Sequence, residues 1–216
     1  SATEHAKGTV EQKVGDFFAS GMDTATLNQR GYEPIQPLLD EIEGISTPKE
    51  VMGFVTEQIT KGNNSIMGLR VAPDNKNSQL NILHASQSGL GLPDRDYYFK
   101  TDEPSVKIQN AYKTYLATLF DLSGIENGTE KAETVYNIEK QLAEAHKTRI
   151  ERRNIQANYN KLAVSDITSS NPNIAWKMLL SDLDLEADSI NVRQPDYYNK
   201  LNELLATVPV EDWKTY

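Results

Sequence analysis

Four cations, Lys147, Arg149, Arg152 and Arg153, fall within seven residues and form the densest chemical feature of the chain. On a helix, Arg149, Arg152 and Arg153 stand at offsets 0, 3 and 4 and share one face. Their planar guanidinium forks can each hold a carboxylate through two parallel hydrogen bonds. Glu151 is interleaved, and the whole chain carries 31 Asp+Glu against 22 Lys+Arg, a formal charge of −9. The first reading of the cluster is therefore internal ion pairing. The second is a cavity-facing site for a peptide carboxylate, with Arg149 and Arg153 as substrate-binding candidates. The acidic balance disfavours a broad electrostatic grip on nucleic acid or anionic lipid.

Other chemistries fail on residue type or spacing. There is no cysteine, which excludes disulfides, Cys-ligated zinc and thiol catalysis. The histidines are His5, His84 and His146, and none lies in a His-Glu-x-x-His zinc motif. His84 and His146 read as structural. The acidic run from Asp182 to Asp188 would need Gly at its sixth position and Glu at its twelfth to hold calcium; Ala187 and Arg193 stand there. Gly89-Leu-Gly-Leu-Pro-Asp94 lacks the third glycine of a dinucleotide loop, and Pro93 removes an N–H from the would-be phosphate cradle. Ala85-Ser86-Gln87-Ser88-Gly89 lacks the spacing of a serine-nucleophile elbow. No catalytic residue and no metal ligand is assigned.

The elements that would position these residues are mostly helical. Val10, Val14, Phe17 and Phe18 make one apolar stripe, and Ile35, Leu38, Leu39 and Ile42 another that stops at Gly44, a left-handed cap by pattern. Thr47-Pro48-Lys49-Glu50 reads as a capping box, opening a helix that buries Val51, Phe54, Val55 and Ile59 and ends at Gly62. Residues 65–71 and 78–85, separated by Ala-Pro-Asp-Asn-Lys-Asn, predict a β-hairpin. Ile108, Tyr112, Tyr115, Leu116 and Leu119 mark a further helix, and residues 129–153 are expected to form the longest one, burying Val135, Ile138, Leu142 and Ala145. Helices holding Trp176, Leu179 and Leu180, then Tyr197, Leu201, Leu204 and Leu205, follow. The fold class expected is mainly α: a single multi-helix domain over residues 1–216 with a small β-hairpin. No stretch has the apolar length of a membrane span.

The termini carry their own signals. Residues 1–5 lack the basic and apolar regions of a signal peptide, which fits either a cytoplasmic protein or a chain starting after a removed export signal. Pro209 to Tyr216 reads as the first turn of a helix with two large aromatics and no stop signal. It suggests a chain cut within a longer protein, leaving apolar surface uncovered there.

Two segments carry a resemblance. Gln87-Ser-Gly-Leu-Gly-Leu-Pro-Asp-Arg-Asp-Tyr-Tyr-Phe99 resembles the Gly-Leu-x-Leu-Pro-x-Arg-Asp-Tyr-Tyr stretch of the neprilysin and endothelin-converting-enzyme family of zinc metalloendopeptidases. Glu139 to Arg153, followed by Tyr159-Asn160-Lys161, looks like that family's long helix with its Glu-x-Arg end and Tyr-Asn-Lys sequence. Asp16-Phe-Phe, Gly31 to Pro34-Ile-Gln-Pro-Leu-Leu and Trp213-Lys-Thr-Tyr216 echo it more faintly.

The resemblance implies a helical domain that helps enclose the substrate cavity of a longer peptidase. The zinc motif, the third zinc ligand and the substrate-binding strand of the family lie in a C-terminal part, and none occurs in this sequence. Zinc is thus implied for the parent enzyme and none for this stretch, with peptide substrates and the missing catalytic domain as partners. Arg95, Asp96, Tyr97, Arg153 and Tyr159 match family motifs and are expected to lock loop and helix end. Mammalian members use disulfides, so their absence implies a bacterial, extracytoplasmic homologue, lipid-anchored through an absent N-terminus. The rival expectation is a free-standing helical binding or scaffold protein.

Overall fold

The structure is a computed structural model that describes residues 5–63 and 66–216. Residues 1–4 and Ser65, the expected start of the hairpin, lie outside the described residues. Helices α1 (Val10–Met22), α2 (Thr24–Arg30), α3 (Gln36–Glu43) and α4 (Pro48–Thr60) open the chain, followed by strands β1 (Gly68–Asp74) and β2 (Asn77–Ser86). After a long loop come α5 (Asp96–Phe99), α6 (Glu103–Leu122) and α7 (Gly128–Glu144). An irregular segment leads to β3 (Lys161–Ala163), α8 (Val164–Ser170), α9 (Trp176–Asp182), β4 (Ser189–Val192), α10 (Pro195–Thr207) and α11 (Val210–Thr215).

Local chemistry explains most boundaries. The Thr47 hydroxyl accepts from the Glu50 amide while the Glu50 carboxylate accepts from the Thr47 amide, so the expected capping box opens α4. The Asp102 carboxylate caps α6 by accepting from the Ser105 amide and hydroxyl, and Gly62 and Gly124 follow α4 and α6 at positive φ. Gly44 differs from its expected left-handed form: its φ is −69°, and its amide still donates to Asp40 as the chain runs on toward α4.

The expected hairpin is present, with a tighter turn because the Asp74 carboxylate accepts from the Lys76 amide at 2.9 Å. It is also part of something larger. Strand β4 pairs in parallel with β2, and β3 pairs antiparallel with β4, giving a four-stranded sheet in the order β1-β2-β4-β3. The two extra strands are three and four residues long, too short to show alternation in sequence. One sheet face, with Leu83, Ala85, Ile190 and Val192, joins Met52, Leu142, Trp176, Leu179, Tyr197, Tyr198 and Leu201 in the main core. A smaller cluster holds Leu92, Tyr98, Tyr136 and Ala143.

Two expected core stripes lie outside. Helices α1, α2 and α3 bury no residue, and Phe17 and Phe18 are 83% and 66% exposed. On α6 the expected stripe is split: Ile108, Tyr115 and Leu119 are exposed, while Tyr112 and Leu116 are partly buried and Tyr112 reaches Glu139 on α7. The C-terminal turn, by contrast, is well covered. Trp213 is buried, and the Tyr216 hydroxyl donates to the Gly89 carbonyl. The uncovered apolar surface therefore sits on α1 and α6 and not on α11.

The helix expected to reach residue 153 stops at Glu144. Lys147 is caught by Gln87, whose carbonyl oxygen accepts from the Lys147 amide at 2.8 Å and whose NH2 donates to its carbonyl at 3.0 Å. Thr148 and Glu151 then form a reciprocal capping pair that starts a separate 3-10 turn, Glu151–Arg153. Arg149, Arg152 and Arg153 consequently do not share one face of a long helix.

The exposure of α1 has a direct consequence for stability. Replacing both Phe17 and Phe18 by Ser is expected to change unfolding free energy by no more than about 0.5 kcal/mol per site. Leu142→Ala, by comparison, should cost about 2–5 kcal/mol. Urea unfolding monitored by near-UV circular dichroism checks both.

Candidate functional site

The loop between β2 and α5 gathers most of the polar chemistry. Gly91 has no room for a side chain, because an added Cβ would collide with the Tyr112 hydroxyl and touch Glu139. Its amide donates to Glu139 at 3.0 Å, and the Tyr112 and Tyr98 hydroxyls donate to the same carboxylate at 2.8 and 2.9 Å. The Leu92 amide in turn donates to the Tyr98 oxygen. Glu139 is only 4% exposed, and burial pushes its carboxyl up, with the three donors opposing that effect. Burial and the adjacent Glu139 charge raise both tyrosines.

Further contacts clamp the rest of the loop. Asp94 accepts from the Asp96 amide and pairs with Arg149 at 2.6 Å. The Arg95 guanidinium donates to the Ala143 carbonyl and lies over the Phe99 ring. The Tyr97 carbonyl accepts from Gln109. The motif thus stitches α6, α7 and α11 together, which is the locking role expected for Arg95, Asp96 and Tyr97. Tyr159 locks elsewhere, donating to Asp74 on β1. Arg153 is exposed and makes no ion pair among the described residues. Of the cationic cluster, only Arg149 has a carboxylate partner among the described residues; the Lys147 ammonium donates to the Ala157 carbonyl, and Glu151 serves Thr148. The expected internal ion pairing is therefore confined to Arg149.

A second system is a continuous polar chain through the interior. His146 Nε2 meets the Ser88 carbonyl, and Nδ1 meets the Gln87 amide group, both at 3.0 Å. The Gln87 backbone amide donates to Gln194, Gln194 donates to Asn158, and the Asn158 carbonyl accepts from Asn191. Asn191 reaches His84 Nδ1 at 3.0 Å, and His84 Nε2 meets the Pro73 carbonyl. These partners require both rings to be neutral with the proton on Nε2. Gln87, Glu139, Asn158, Asn191 and Gln194 went unassigned from sequence alone. A usable signal exists for Glu139, which lies four residues after Val135 and three before Leu142, on the apolar stripe of α7.

This donor set does not fit zinc. Both histidine rings use both nitrogens inside the network, and no group of three or more His, Cys, Asp or Glu among the described residues is placed to hold a metal ion. No helix among the described residues is long and apolar enough to cross a membrane.

The fold has counterparts among known proteins. A family model for the N-terminal part of peptidase family M13 matches residues 1–216. The chain belongs to peptidase family M13. Human endothelin-converting enzyme-like 1 is 25% identical over 220 residues, covering 94% of this chain and 28% of the relative. Endothelin-converting enzyme 1 of Cavia porcellus is 27% identical over 213 residues, covering 91% of this chain and 28% of the relative. The crystal structure of the Mycobacterium tuberculosis zinc metalloprotease Zmp1 with an inhibitor superposes with a TM-score of 0.87 at 29% identity, covering 99% of this chain and 34% of that one. PepO of Lactobacillus rhamnosis HN001 shares the fold, with a TM-score of 0.78 at 17% identity. This M13 chain spans about a third or less of the length of these relatives.

The buried imidazole of this M13 chain sets a pH dependence. Burial holds His146 down at about 4, against 6.5 for a free imidazole. The unfolded chain binds that proton more readily, so the His146 share of stability is complete above pH 6.5 and disappears as pH falls through about 4. Between those limits the wild type is expected to lose about 3 kcal/mol more than His146→Gln. Urea unfolding of both proteins at a series of pH values measures it, and contributions from His84 and Glu139 cancel in the difference.

Proposed function

We propose that this chain is a single helical, substrate-enclosing domain of a bacterial, neprilysin-like zinc endopeptidase that cleaves peptides outside the cytoplasm, attached through an N-terminal lipid anchor. The zinc and its catalytic residues belong to polypeptide beyond these 216 residues, and the domain alone is inert. The observation that carries this reading is a contrast in coverage. The match to Zmp1 takes in 99% of this chain but 34% of that protease. Two further features support it. The apolar stripe of α1 and Ile108, Tyr115 and Leu119 of α6 are uncovered, as befits faces that meet the remainder of a larger enzyme. Zmp1 and PepO are bacterial proteins.

In such an enzyme, zinc polarises the scissile carbonyl and activates water. This domain's own contribution is to exclude bulk solvent and to position the peptide. Arg149 and Arg153 lie exposed in the segment between α7 and β3, and Arg149 pairs with Asp94 of the clamped loop. Their guanidinium groups suit a peptide carboxylate.

The test uses the full-length protein. A His-Glu-x-x-His motif is expected in its reading frame after Tyr216, with peptide hydrolysis abolished by a chelator and restored by zinc. A stop codon soon after Tyr216 in the natural gene, or chelator-sensitive turnover by the 216-residue chain itself, overturns the proposal. Within the active protein, Arg153→Ala should raise KM about tenfold with kcat unchanged. Arg149→Ala should do the same while also releasing Asp94. Unchanged KM in both removes the arginines from peptide binding.

A further inference from the structure

Three other arginines are drawn together by the sheet. Arg70 pairs with His84, and His84 pairs with Asn191, so their side chains share the sheet face opposite the core. Arg193 follows Asn191 by two residues, and its amide donates to the Ala85 carbonyl at 2.8 Å, which keeps it in register with that face. Arg152 arrives from the irregular segment lying over the sheet. The Glu151 carbonyl accepts from Asn158 at 2.8 Å, and Asn158 accepts from Gln194, the neighbour of Arg193, at 2.7 Å.

The charges around this point are one-sided. Arg193 is partly buried, and burial together with the Arg70 and Arg152 charges depresses its guanidinium. His84, in the same place, is depressed by burial and by Arg70 and Arg193. The nearby carboxylates are engaged elsewhere: Asp74 with Lys161 and Tyr159, Glu151 with Thr148, Asp94 with Arg149. Arg70, Arg152 and Arg193 form no ion pair and no side-chain hydrogen bond among the described residues. In a chain of net charge −9, an uncompensated cationic trio is a local exception with a physical cost.

We propose that Arg70, Arg152 and Arg193 form a binding site for a phosphate-class oxyanion, either free phosphate or the phosphate of a lipid headgroup. The choice of phosphate over carboxylate follows from the donor set. One guanidinium fork saturates a carboxylate, whereas forks from three separate elements can surround a tetrahedral dianion. The site involves neither Arg149 nor Arg153 and does not depend on the peptidase reading.

The experiment is inorganic phosphate titration of the full-length protein by isothermal calorimetry, at constant ionic strength with chloride as control. Saturable binding is expected in the wild type, weakened at least tenfold in Arg193→Gln and lost in the Arg70→Gln/Arg152→Gln/Arg193→Gln variant. The variant should fold, since it relieves repulsion: its Tm without phosphate is expected to equal or exceed that of wild type. Phosphate should raise Tm only in the wild type. A second arm uses phosphatidylcholine vesicles with and without phosphatidic acid; binding only to the latter, lost in the variant, supports the headgroup form. Absence of binding in both arms, or equal binding by the triple variant, overturns the proposal. So does a fall in its phosphate-free Tm, which would show the arginines to be structurally paired.

Discussion

Polar groups shut away from water must find partners, and in this protein one unbroken chain of hydrogen-bonded residues, linked through side chains and two main-chain groups, meets that demand between Ser88 and Pro73. His146, Gln87, Gln194, Asn158, Asn191 and His84 each satisfy the next, and all six are less than 9% exposed. An unpaired member would cost about 1–3 kcal/mol in desolvation alone, so the network favours one arrangement of the backbone segments it joins. Those segments are the end of β2, the break after α7, the irregular stretch before β3, and β4 with the start of α10. Gln87 is the junction. Its side-chain amide ends α7 by capturing Lys147, and its backbone amide is held by Gln194 more than a hundred residues away in sequence. The sheet order depends on this, because β3 and β4 are too short to hold themselves in place.

Glu139 does comparable work beside it. A buried carboxylate is tolerated because two tyrosine hydroxyls and the Gly91 amide supply three donors. This arrangement gives a physical meaning to the Gly-Leu-Gly-Leu-Pro-Asp-Arg-Asp-Tyr-Tyr stretch. Gly91 lets the backbone reach the carboxylate, Tyr98 bridges it to the Leu92 amide, and Asp94 and Arg95 fasten the loop to Arg149 and Ala143. A loop so constrained is a rigid edge rather than a moving lid.

The surface is divided in character. The interior side of the sheet and α10 form a dense aromatic and aliphatic core around Trp176, Tyr197 and Tyr198. The first three helices and the outer face of α6 show large apolar side chains to solvent. Exposed apolar side chains in such number ordinarily mark a contact with other polypeptide. A sheet face rich in arginine lies on another side, in an otherwise acidic molecule. The chain spans about a third or less of the length of Zmp1 and the endothelin-converting enzymes that it is similar to.

Much of the local structure was legible from residue order. The capping box at Thr47, the hairpin turn at Asp74, and the apolar stripes of α4, α7, α9 and α10 obey rules that act within a few residues. The signature loop marked the family for the same reason: its residues are adjacent in sequence. The end of α7 was half-legible, since Thr148-Arg-Ile-Glu151 is itself a capping signal inside an apparently continuous helix. Which stripes become core was not legible, because periodicity reports amphipathicity and not what lies opposite. The Val10 to Phe18 stripe reads like any buried one. Strands β3 and β4, the Gln87 junction and the arginine trio come from pairings such as His84 with Asn191, across 107 positions. Residue order decided what each segment can bury and cap, and only the folded chain decided which distant groups satisfy one another, since that choice is made by shared desolvation and not by neighbours.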